Sequence, residues 1–455
     1  MTKTIRTPHL IFLLLLLTVA VSRCAFFDPD FWFHLETGRI ILEQKTIPHA
    51  DVLSFTNPGR EWVTHEWLSE AVTFLTYRAG GYGALAILFG LLVTLSYAVA
   101  LARSGGATLT TIGATALGAL AGLPTWGVRL QVFTLLLSSV YLYVLLERKT
   151  KLYPWLVPVM ALWANLHAGF AVGLIFVALG VAGSLLDKTP DWRPLSLTLA
   201  GCAAAVLLTP HGTRLYTYPL ETMSSAPLHS YMTEWQSPNF QSPLFLPFAM
   251  LLLLTFTVMA VSPQRAKLSE LLFLCALTLA SLRSGRHIPL MSLVAIPVLA
   301  RHSALWLGLK EGAGGRKKLF DVALVCAAGV LALTACARAD ALMRASESVY
   351  PVAAVDFIER ERVPLRLFNL YGWGGYLIRR GHQSFVDGRN DMHGDAFVMQ
   401  YIRVYEGRED YHAMFERYGI EAALVEPHSA IASVLRNDPA WRVAYEDKAA
   451  VVFTR

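Results

Sequence analysis

The chain has 455 residues, of which 55% are hydrophobic and only 16% are charged, whereas soluble domains carry about a quarter charged residues. Residues 244–261 and 320–335 contain almost no polar side chain on any helical face, which excludes an ordinary soluble protein and predicts segments that lie in lipid. The net charge of +6 is concentrated in short connectors such as residues 147–151 and 263–267. This distribution is typical of cytoplasmic loops and argues against nucleic acid as a partner.

The first apolar segment, residues 8–21, follows Lys3 and Arg6 and resembles a signal peptide. Arg23 occupies the place where a cleavage site needs a small residue. We therefore expect a retained helix with a cytoplasmic N-terminus. Ten further spans are predicted at residues 82–102, 107–123, 130–146, 152–166, 169–186, 195–209, 244–261, 268–281, 288–306 and 319–337.

Eleven crossings that start inside place the C-terminus outside. The connectors assigned to the cytoplasm all carry Arg or Lys, in agreement with this topology. The predicted fold class is an α-helical polytopic membrane protein of a bacterial-type inner membrane, with about eleven transmembrane helices in residues 1–340. Residues 341–455 are predicted to form a small extracytoplasmic α/β domain.

The first outer loop, residues 28–81, is predicted to carry two juxtamembrane helices. The first begins near Phe31, since Phe31, Leu35 and Gly38 share one helical face. Turn residues follow, and an aromatic-rich amphipathic pattern over residues 62–78 predicts the second helix, which suits the membrane–water interface.

The C-terminal domain is predicted to alternate short strands with amphipathic helices. Strands are expected at 365–370, 383–386, 422–425, 441–445 and 449–453, and helices at 352–361, 396–406, 411–418 and 430–437. The segments 371–376 and 387–389 are expected to be turns.

Two carboxylates, Asp28 and Asp30, stand where the first helix leaves the membrane. Such a pair can bind a divalent metal, or one member can act as general base for an acceptor hydroxyl. The alternative is that the pair only marks a loop on the outer side.

The order of features in this loop resembles the GT-C superfamily of membrane glycosyltransferases, which take sugars from polyprenyl phosphate or pyrophosphate carriers. The segment 27–31 (FDPDF) opens the loop and 62–67 (WVTHEW) precedes its second helix. In the aminoarabinose and mannosyl transferases of that superfamily, an acidic pair and a later acidic residue occupy these places. The resemblance implies Asp28, Asp30 and Glu66 as catalytic residues, with His65 binding substrate beside them.

Segment 27–31 also looks like the first acidic motif of the oligosaccharyltransferase catalytic subunit. Segment 372–378 (GWGGYLI), followed by 385–390 (FVDGRN), is similar in layout to the tryptophan-rich acceptor-binding motif of that enzyme, but Gly374 replaces the motif's central acidic residue. The resemblance implies three further substrate-binding residues, Trp373, Asp387 and Arg389. The alternative is a Gly-rich turn with an aromatic plug.

A phosphate-bearing donor requires cations at the outer face. Five basic residues lie near predicted outer helix ends, against the positive-inside bias: Arg129, Arg214, Arg283, Arg286 and His287. Arginine suits phosphate because its planar fork donates two hydrogen bonds at once. The group Arg283, Arg286 and His287 is the preferred phosphate clamp. Snorkelling or pairing with an acid is the alternative for each residue.

Two further polar residues are candidates. His167 lies in a tight outer turn after Asn165 and either lines the cavity or satisfies backbone groups. Glu234 is the additional acid that, with Asp28 and Asp30, would complete a site for Mg or Mn; the sequence leaves the need for a metal open.

The sequence thus predicts an inverting membrane glycosyltransferase. Its partners would be a lipid-linked sugar donor, membrane lipids and a glycan, lipid or protein acceptor. One alternative is a transporter or flippase in which the arginines bind cargo and the acids couple protons. Another is a non-catalytic scaffold in envelope polysaccharide assembly. Because the acids cluster in a loop and the spans show no repeat of two halves, transfer is the leading hypothesis.

Overall fold

The computed structural model describes residues 6–309, 318–364 and 366–455. Lys3 and Leu365, which entered the sequence predictions, lie outside the described residues. The chain forms two compact units. We name the described residues of 6–26, 80–216 and 232–340 the helical unit, and those of 27–79, 217–231 and 341–455 the mixed unit. The sequence-based division at residue 340 remains a prediction.

Twenty α-helices lie within the described part of the chain. In chain order they are α1 Thr7–Cys24, α2 Phe31–Gln44, α3 Trp67–Arg103, α4 Thr108–Gly122, α5 Gln131–Leu146, α6 Leu156–Leu166, α7 Phe170–Leu186, α8 Trp192–Val206, α9 Arg214–Ser224, α10 Ala226–Tyr231, α11 Leu246–Val261, α12 Leu268–Arg283, α13 Ile288–Trp306, α14 Lys318–Ser346, α15 Val352–Arg360, α16 Gly374–Arg379, α17 Asn390–His393, α18 Asp395–Tyr405, α19 His412–Tyr418 and α20 Ala430–Asn437.

A helix occupies each of the apolar segments from which spans were predicted. Five helical segments in the described ranges are long and apolar enough to cross a membrane: Thr7–Cys24, Trp67–Arg103, Pro243–Val261, Gly285–Trp306 and Asp321–Val349. Helices α5 and α7 are apolar but shorter. These helices make the chain a multi-pass membrane protein by length and composition.

Helix α13 is the central helix of the helical unit. Most of the span Gly285–Trp306 is buried inside the protein, and α13 packs on α4, α11 and α12. A Cβ at Gly118 of α4 would lie 2.5 Å from the Ile296 side chain of α13, so only glycine allows this close crossing.

In the mixed unit, α2 begins after Asp30 and ends at Gln44, and the C-cap residue Lys45 adopts a left-handed conformation with φ of 55°. The prediction that the second juxtamembrane helix begins at residue 62 is wrong, because α3 begins at Trp67. Trp62 belongs to an extended segment instead: its backbone N–H donates to His49 O at 2.9 Å, and Asp51 N–H donates to Arg60 O at 2.8 Å. This backbone pairing competes with the helix.

The C-terminal part of the mixed unit contains four strands, β1 Leu367–Asn369, β2 Ala422–Val425, β3 Arg442–Glu446 and β4 Val451–Thr454. They form one sheet in the order β1-β2-β4-β3, with β1 parallel to β2 and the other pairs antiparallel. Helices α18, α19 and α20 contribute to its apolar core, which includes the buried residues Phe368, Tyr401, Phe415, Leu435 and Phe453.

Two C-terminal predictions are wrong. Residues 383–386 are not a sheet strand: Ser384 forms only an isolated parallel bridge with Ser54, and Phe385 N–H donates to the side chain of Asn369 at 2.8 Å. Segment 371–376 is not an open turn, since a 3-10 turn at Tyr371–Trp373 leads directly into α16.

A smaller apolar cluster joins the first outer loop to the C-terminal segment within the mixed unit. Its buried members are Phe33, Ile40, Leu53, Trp62, Ile378 and Met392. A Cβ at Gly375 of α16 would lie 2.8 Å from Pro29 O, so α16 packs directly on the start of α2. The loop that carries the acidic pair is therefore part of a packed core.

Candidate active site

The acidic pair lies at the start of α2. The Asp28 carboxylate accepts a hydrogen bond from the backbone N–H of Asp30 at 3.1 Å, and Asp30 is the N-cap residue of the helix. Both side chains are partly exposed. The N-terminus of a helix favours negative charge, so the position of both side chains at the start of α2 suits carboxylates that solvent can reach.

The surroundings of Asp30 come from the C-terminal segment. A Cβ at Gly388 would collide with the Asp30 carboxylate, so only glycine permits this approach. Burial raises the pKa of Tyr371 well above its ordinary range, and the negative charges of Asp30 and Asp387 raise it further. A neutral tyrosine and a glycine turn therefore border the carboxylate.

His34, in the first turn of α2, connects the pair to two glutamates, Glu66 just before α3 and Glu70 in its first turn. Its Nδ1 lies 2.9 Å from Glu70 Oε1 and its Nε2 lies 3.5 Å from Glu66 Oε2. Burial opposes a charged imidazole, but Glu66, Glu70 and Asp30 together raise the pKa of His34 to about 9. His34 is therefore an imidazolium at neutral pH, surrounded by carboxylates.

Close packing of two helices creates this arrangement. A Cβ at Gly38 of α2 would collide with the backbone oxygen of Glu70, so the helices touch backbone to backbone there. His34 and Gly38 are four residues apart and share one face of α2, as do Glu66 and Glu70 at the start of α3. His34 and Glu70 were not predicted from the sequence. The pattern that could have indicated them is the spacing of four residues from His34 to Gly38 and from Glu66 to Glu70.

His65 extends the cluster on its other side. Its ring lies 4.1 Å from the ring of Tyr218, its Nδ1 contacts Val63 O at 3.2 Å, and its Nε2 is 3.6 Å from Glu66 Oε1. Burial opposes the charge of His65, but Glu66 raises its pKa. Glu66, which is 9% exposed, thus stands between two histidines.

The predicted residues Trp373, Asp387 and Arg389 are buried in the mixed unit. Arg389 donates to both oxygens of Asp387 and to Asp51, each at 2.8 Å, and its guanidinium lies 4.6 Å from the Trp62 ring centroid. Burial opposes the Asp387 charge, yet Arg389 lowers its pKa well below the ordinary range. These contacts are those of a buried ion cluster, and substrate binding by its members remains a prediction.

The structure also explains the glycine that replaces the acidic residue of the tryptophan-rich motif. A Cβ at Gly374 would collide with Val386 O and lie 2.8 Å from the Asp387 side chain. No side chain of any chemistry fits there without movement of the backbone.

In the helical unit, the structure groups the candidate cations differently from the expected clamp. Arg129 forms an ion pair with Glu234, and Arg286 donates to Gln131 Oε1 at 3.2 Å while lying 4.2 Å over the ring of Trp235. Arg283 is exposed and, within the described residues, makes no hydrogen bond or ion pair.

Two predicted histidines also lie in the helical unit. His167 Nδ1 accepts from Gly169 N–H at 2.7 Å and contacts Thr134 Oγ1 at 3.0 Å, which leaves the ring proton on Nε2. His287 is half-buried in the short turn before α13. Arg214, at the start of α9, lies in the helical unit with these residues.

No group of three or more His, Cys, Asp or Glu side chains among the described residues is arranged to hold a metal ion. Glu234, the proposed third acid of a metal site, is paired with Arg129 in the helical unit, while Asp28 and Asp30 belong to the mixed unit.

Searches by sequence find no matching family model and no matching curated protein. By structure, the chain is similar to ArnT from Cupriavidus metallidurans bound to undecaprenyl phosphate, with a TM-score of 0.53 and 15% identity over 96% of both chains. The apo form of that protein matches with a TM-score of 0.53 and 14% identity, over 96% of this chain and 95% of the other. The chain has the GT-C fold.

The oligosaccharyltransferase of Archaeoglobus fulgidus, tethered to an acceptor peptide, also matches, with a TM-score of 0.46 and 11% identity over 90% of this chain and 68% of the other. The matches to ArnT, at a TM-score of 0.53, confirm for the fold the resemblance to the GT-C superfamily that segments 27–31 and 62–67 indicated. At these identities the likeness extends to the fold alone.

Proposed function

We propose that this GT-C chain is a glycosyltransferase that moves a sugar from a polyprenyl-phosphate-type donor to an acceptor on the extracytoplasmic face. The observation that carries the proposal is the acidic cluster of the mixed unit, in which Asp28 and Asp30 open α2 and His34 connects to Glu66 and Glu70. A buried histidine held charged by carboxylates beside an accessible acidic pair is typical of an active site rather than of a loop marker.

The proposed reaction is an inverting displacement. The acceptor oxygen attacks the anomeric carbon, the new C–O bond forms, and the bond to the phosphate oxygen breaks with its electron pair. Asp28 or Asp30 takes the acceptor proton, since both carboxylates are partly exposed. Glu66 and His65 shape the site beside them. Arginine side chains hold the phosphate as its charge develops.

The donor class is inferred from the fold relative. ArnT has the same fold along nearly the whole of both chains, and that protein was crystallised with undecaprenyl phosphate. A polyprenyl carrier suits a multi-pass protein because its tail can stay in the bilayer during transfer.

The proposed topology follows from charge. Eleven crossings of a bacterial-type inner membrane, with the N-terminus inside, place residues 28–81 and 341–455 on the extracytoplasmic side. The connector at 147–151, which contains Arg148, Lys149 and Lys151, then faces the cytoplasm.

Transfer of radiolabelled sugar from membrane lipid to acceptor in cells tests the proposal directly. The variants are Asp28→Asn and Asp30→Asn, and Asp410→Asn, which makes the same change at an exposed position, is the control. We expect at least one of the first two variants to lose about a hundredfold or more of the transfer, the usual contribution of a general base. The amount of each variant in the membrane is measured in parallel.

Equal transfer by the wild type and all three variants would reject the catalytic role of the pair and favour the transporter or scaffold alternatives. Repeating the wild-type assay with EDTA decides whether Mg or Mn is needed. A transporter would move lipid-linked sugar across the membrane without forming a new glycosidic bond, so analysis of the product separates the two activities.

A further inference from the structure

The helical unit contains an arginine pair whose counter-charge is supplied by the protein itself. Glu234 forms an ion pair with Arg129 and lies within the electrostatic reach of Arg286 and His167. Burial opposes the charge of Glu234, but Arg129 and then Arg286 lower its pKa. The Glu234 carboxylate thus lies against the Arg129 guanidinium, where an external anion would bind, and Arg286 lies 4.2 Å over the ring of the adjacent Trp235.

The loop that carries Glu234 is bonded through its backbone to the turn before α13. Ser284 Oγ donates to Glu234 O at 2.9 Å and Gly285 N–H donates to Gln236 O at 3.0 Å. These bonds hold the backbone of the short turn Thr233–Trp235 independently of the carboxylate, which accepts a hydrogen bond from Arg129. The side chain can therefore swing away while the loop stays in place.

The ion pair is exposed enough to be displaced. The side chains of Arg129 and Glu234 are 30% and 32% exposed. Pairs in such positions contribute little to stability, because water screens both charges. Two arginines and one glutamate give the group a formal charge of +1. A phosphate monoester carries a charge between about −1 and −2, so it would neutralise the two arginines more completely than the single carboxylate does.

Neighbouring groups add the chemistry of a phosphate site. Gln131 fixes the Arg286 guanidinium through its Oε1 at 3.2 Å, and the ring of Trp235 supports that guanidinium from 4.2 Å. Planar donors oriented in advance lose less entropy when they bind an anion.

We propose that Arg129 and Arg286 form the binding site for a phosphate monoester, and that Glu234 is a built-in competitor which the phosphate displaces. The inference rests on the proposed function and deepens it. A polyprenyl phosphate that carries a sugar is a phosphodiester, and the monoester is the carrier that remains after transfer, so Glu234 becomes the residue that sets affinity for the released carrier phosphate. Neutral ligands and weakly charged diesters gain little from displacing a carboxylate, so the competitor also selects for charge.

Calorimetric titration of the purified full chain tests this. The probe is farnesyl phosphate, with farnesol as its uncharged counterpart and inorganic phosphate as the free anion. We expect Glu234→Gln to bind farnesyl phosphate about three- to tenfold more tightly than the wild type, because the competing charge is removed. Glu416→Gln, an equal change at an exposed position, should leave the affinity unchanged.

Arg129→Met and Arg286→Met are each expected to weaken binding by about tenfold or more. Tighter binding by Glu234→Gln for both phosphate probes supports the site, and the ratio of their affinities tells whether the lipid or the free anion is its natural source. Weaker or unchanged binding by Glu234→Gln overturns the proposal, because it means that Glu234 orients Arg129 or has no role. An equal gain for farnesol also overturns it, since charge would not be involved.

The binding measurement is independent of catalysis. If the wild type transfers no sugar but binds farnesyl phosphate as expected, the site stands and the proposed reaction fails. If sugar transfer is found but Glu234→Gln does not tighten binding, the reaction stands and the competitor role of Glu234 fails.

Discussion

At the scale of single residues, His34 has the most unusual environment in the mixed unit, because Glu66 and Glu70 contact it and Asp30 lies within electrostatic reach. Its pKa is raised from 6.5 to about 9, so the charged form is stabilised by folding. This stabilisation is fully present below about pH 6.5 and is lost as the pH rises through about 9. The full shift corresponds to roughly 3 kcal/mol at most.

We therefore predict that the wild type becomes less stable between about pH 6.5 and pH 9.5, and that His34→Gln removes most of this dependence. Thermal unfolding in detergent across this range measures the effect. His65, Asp30, Glu66 and Glu70 also face the site, and the pKa values of His65 and Glu70 are raised as well, the latter by burial. Of these two groups, His65 is the one whose ordinary pKa is also 6.5. His65→Gln is therefore the companion variant, and an unchanged slope in His34→Gln would refute the imidazolium assignment.

The sequence allowed Asp28, Asp30 and Glu66 to be selected, because acids at a membrane boundary stand out against an apolar chain. It did not allow His34 and Glu70 to be selected. Their chemistry depends on the distance between α2 and α3, and that distance depends on Gly38. The sequence shows that Gly38 has no side chain, but it does not show which residue packs against it. The close approach of α2 and α3 could therefore not be predicted.

At the scale of elements, the crossing of α2 and α3 at Gly38 can be tested directly. A methyl group there would collide with the backbone oxygen of Glu70 and lie 2.9 Å from the Phe74 side chain. We predict that Gly38→Ala costs about 1–3 kcal/mol, the usual penalty for overpacking, and reduces sugar transfer by moving His34 away from its glutamates.

Gly113 of α4 is the matched control, because its Cβ would meet nothing within 4 Å. Gly113→Ala should leave stability unchanged or raise it by about 0.5–1 kcal/mol, since alanine is the better helix former. Thermal unfolding of both variants under one condition is the measurement. Equal stability of the two variants would mean that α2 and α3 are not in backbone contact.

The apolar helices were predicted correctly, whereas the start of α3 and the structure of residues 383–386 were not, and this difference has a physical reason. Helices such as α11 and α13 could be predicted because their segments are long and apolar, and this composition can be read from the sequence without knowledge of neighbouring elements. The start of α3 was misplaced by five residues because Trp62 pairs its backbone with His49, a contact that helix periodicity does not encode. Residues 383–386 have strand-like composition, but the side chain of Asn369 satisfies their backbone instead.

At the scale of the whole molecule, the ion cluster around Arg389 connects distant parts of the chain within the mixed unit. Asp51 and Arg389 are separated by 338 residues and their side chains are almost completely buried. We predict that Arg389→Met destabilises the mixed unit by about 3–5 kcal/mol, because two carboxylates are left buried without their counter-charge. Arg417→Met, at an exposed position, should have little effect.

Limited proteolysis combined with thermal unfolding measures the loss. If buried charge is the cause, adding Asp51→Asn to Arg389→Met should recover part of the stability, since one uncompensated carboxylate is removed. No recovery in the double variant would instead indicate that the guanidinium acts mainly through packing against Trp62.

The proposed topology places the mixed unit and the connector at 147–151 on opposite sides of the membrane, and labelling of single cysteines in intact spheroplasts tests this. In a variant without the five native cysteines, we predict that Glu416→Cys reacts with a membrane-impermeant maleimide and that Lys149→Cys reacts only after the membrane is opened. Both positions are exposed, so their reactivity reports on sidedness. The reverse pattern would put the acidic cluster in the cytoplasm, where a donor facing the extracytoplasmic side cannot reach it.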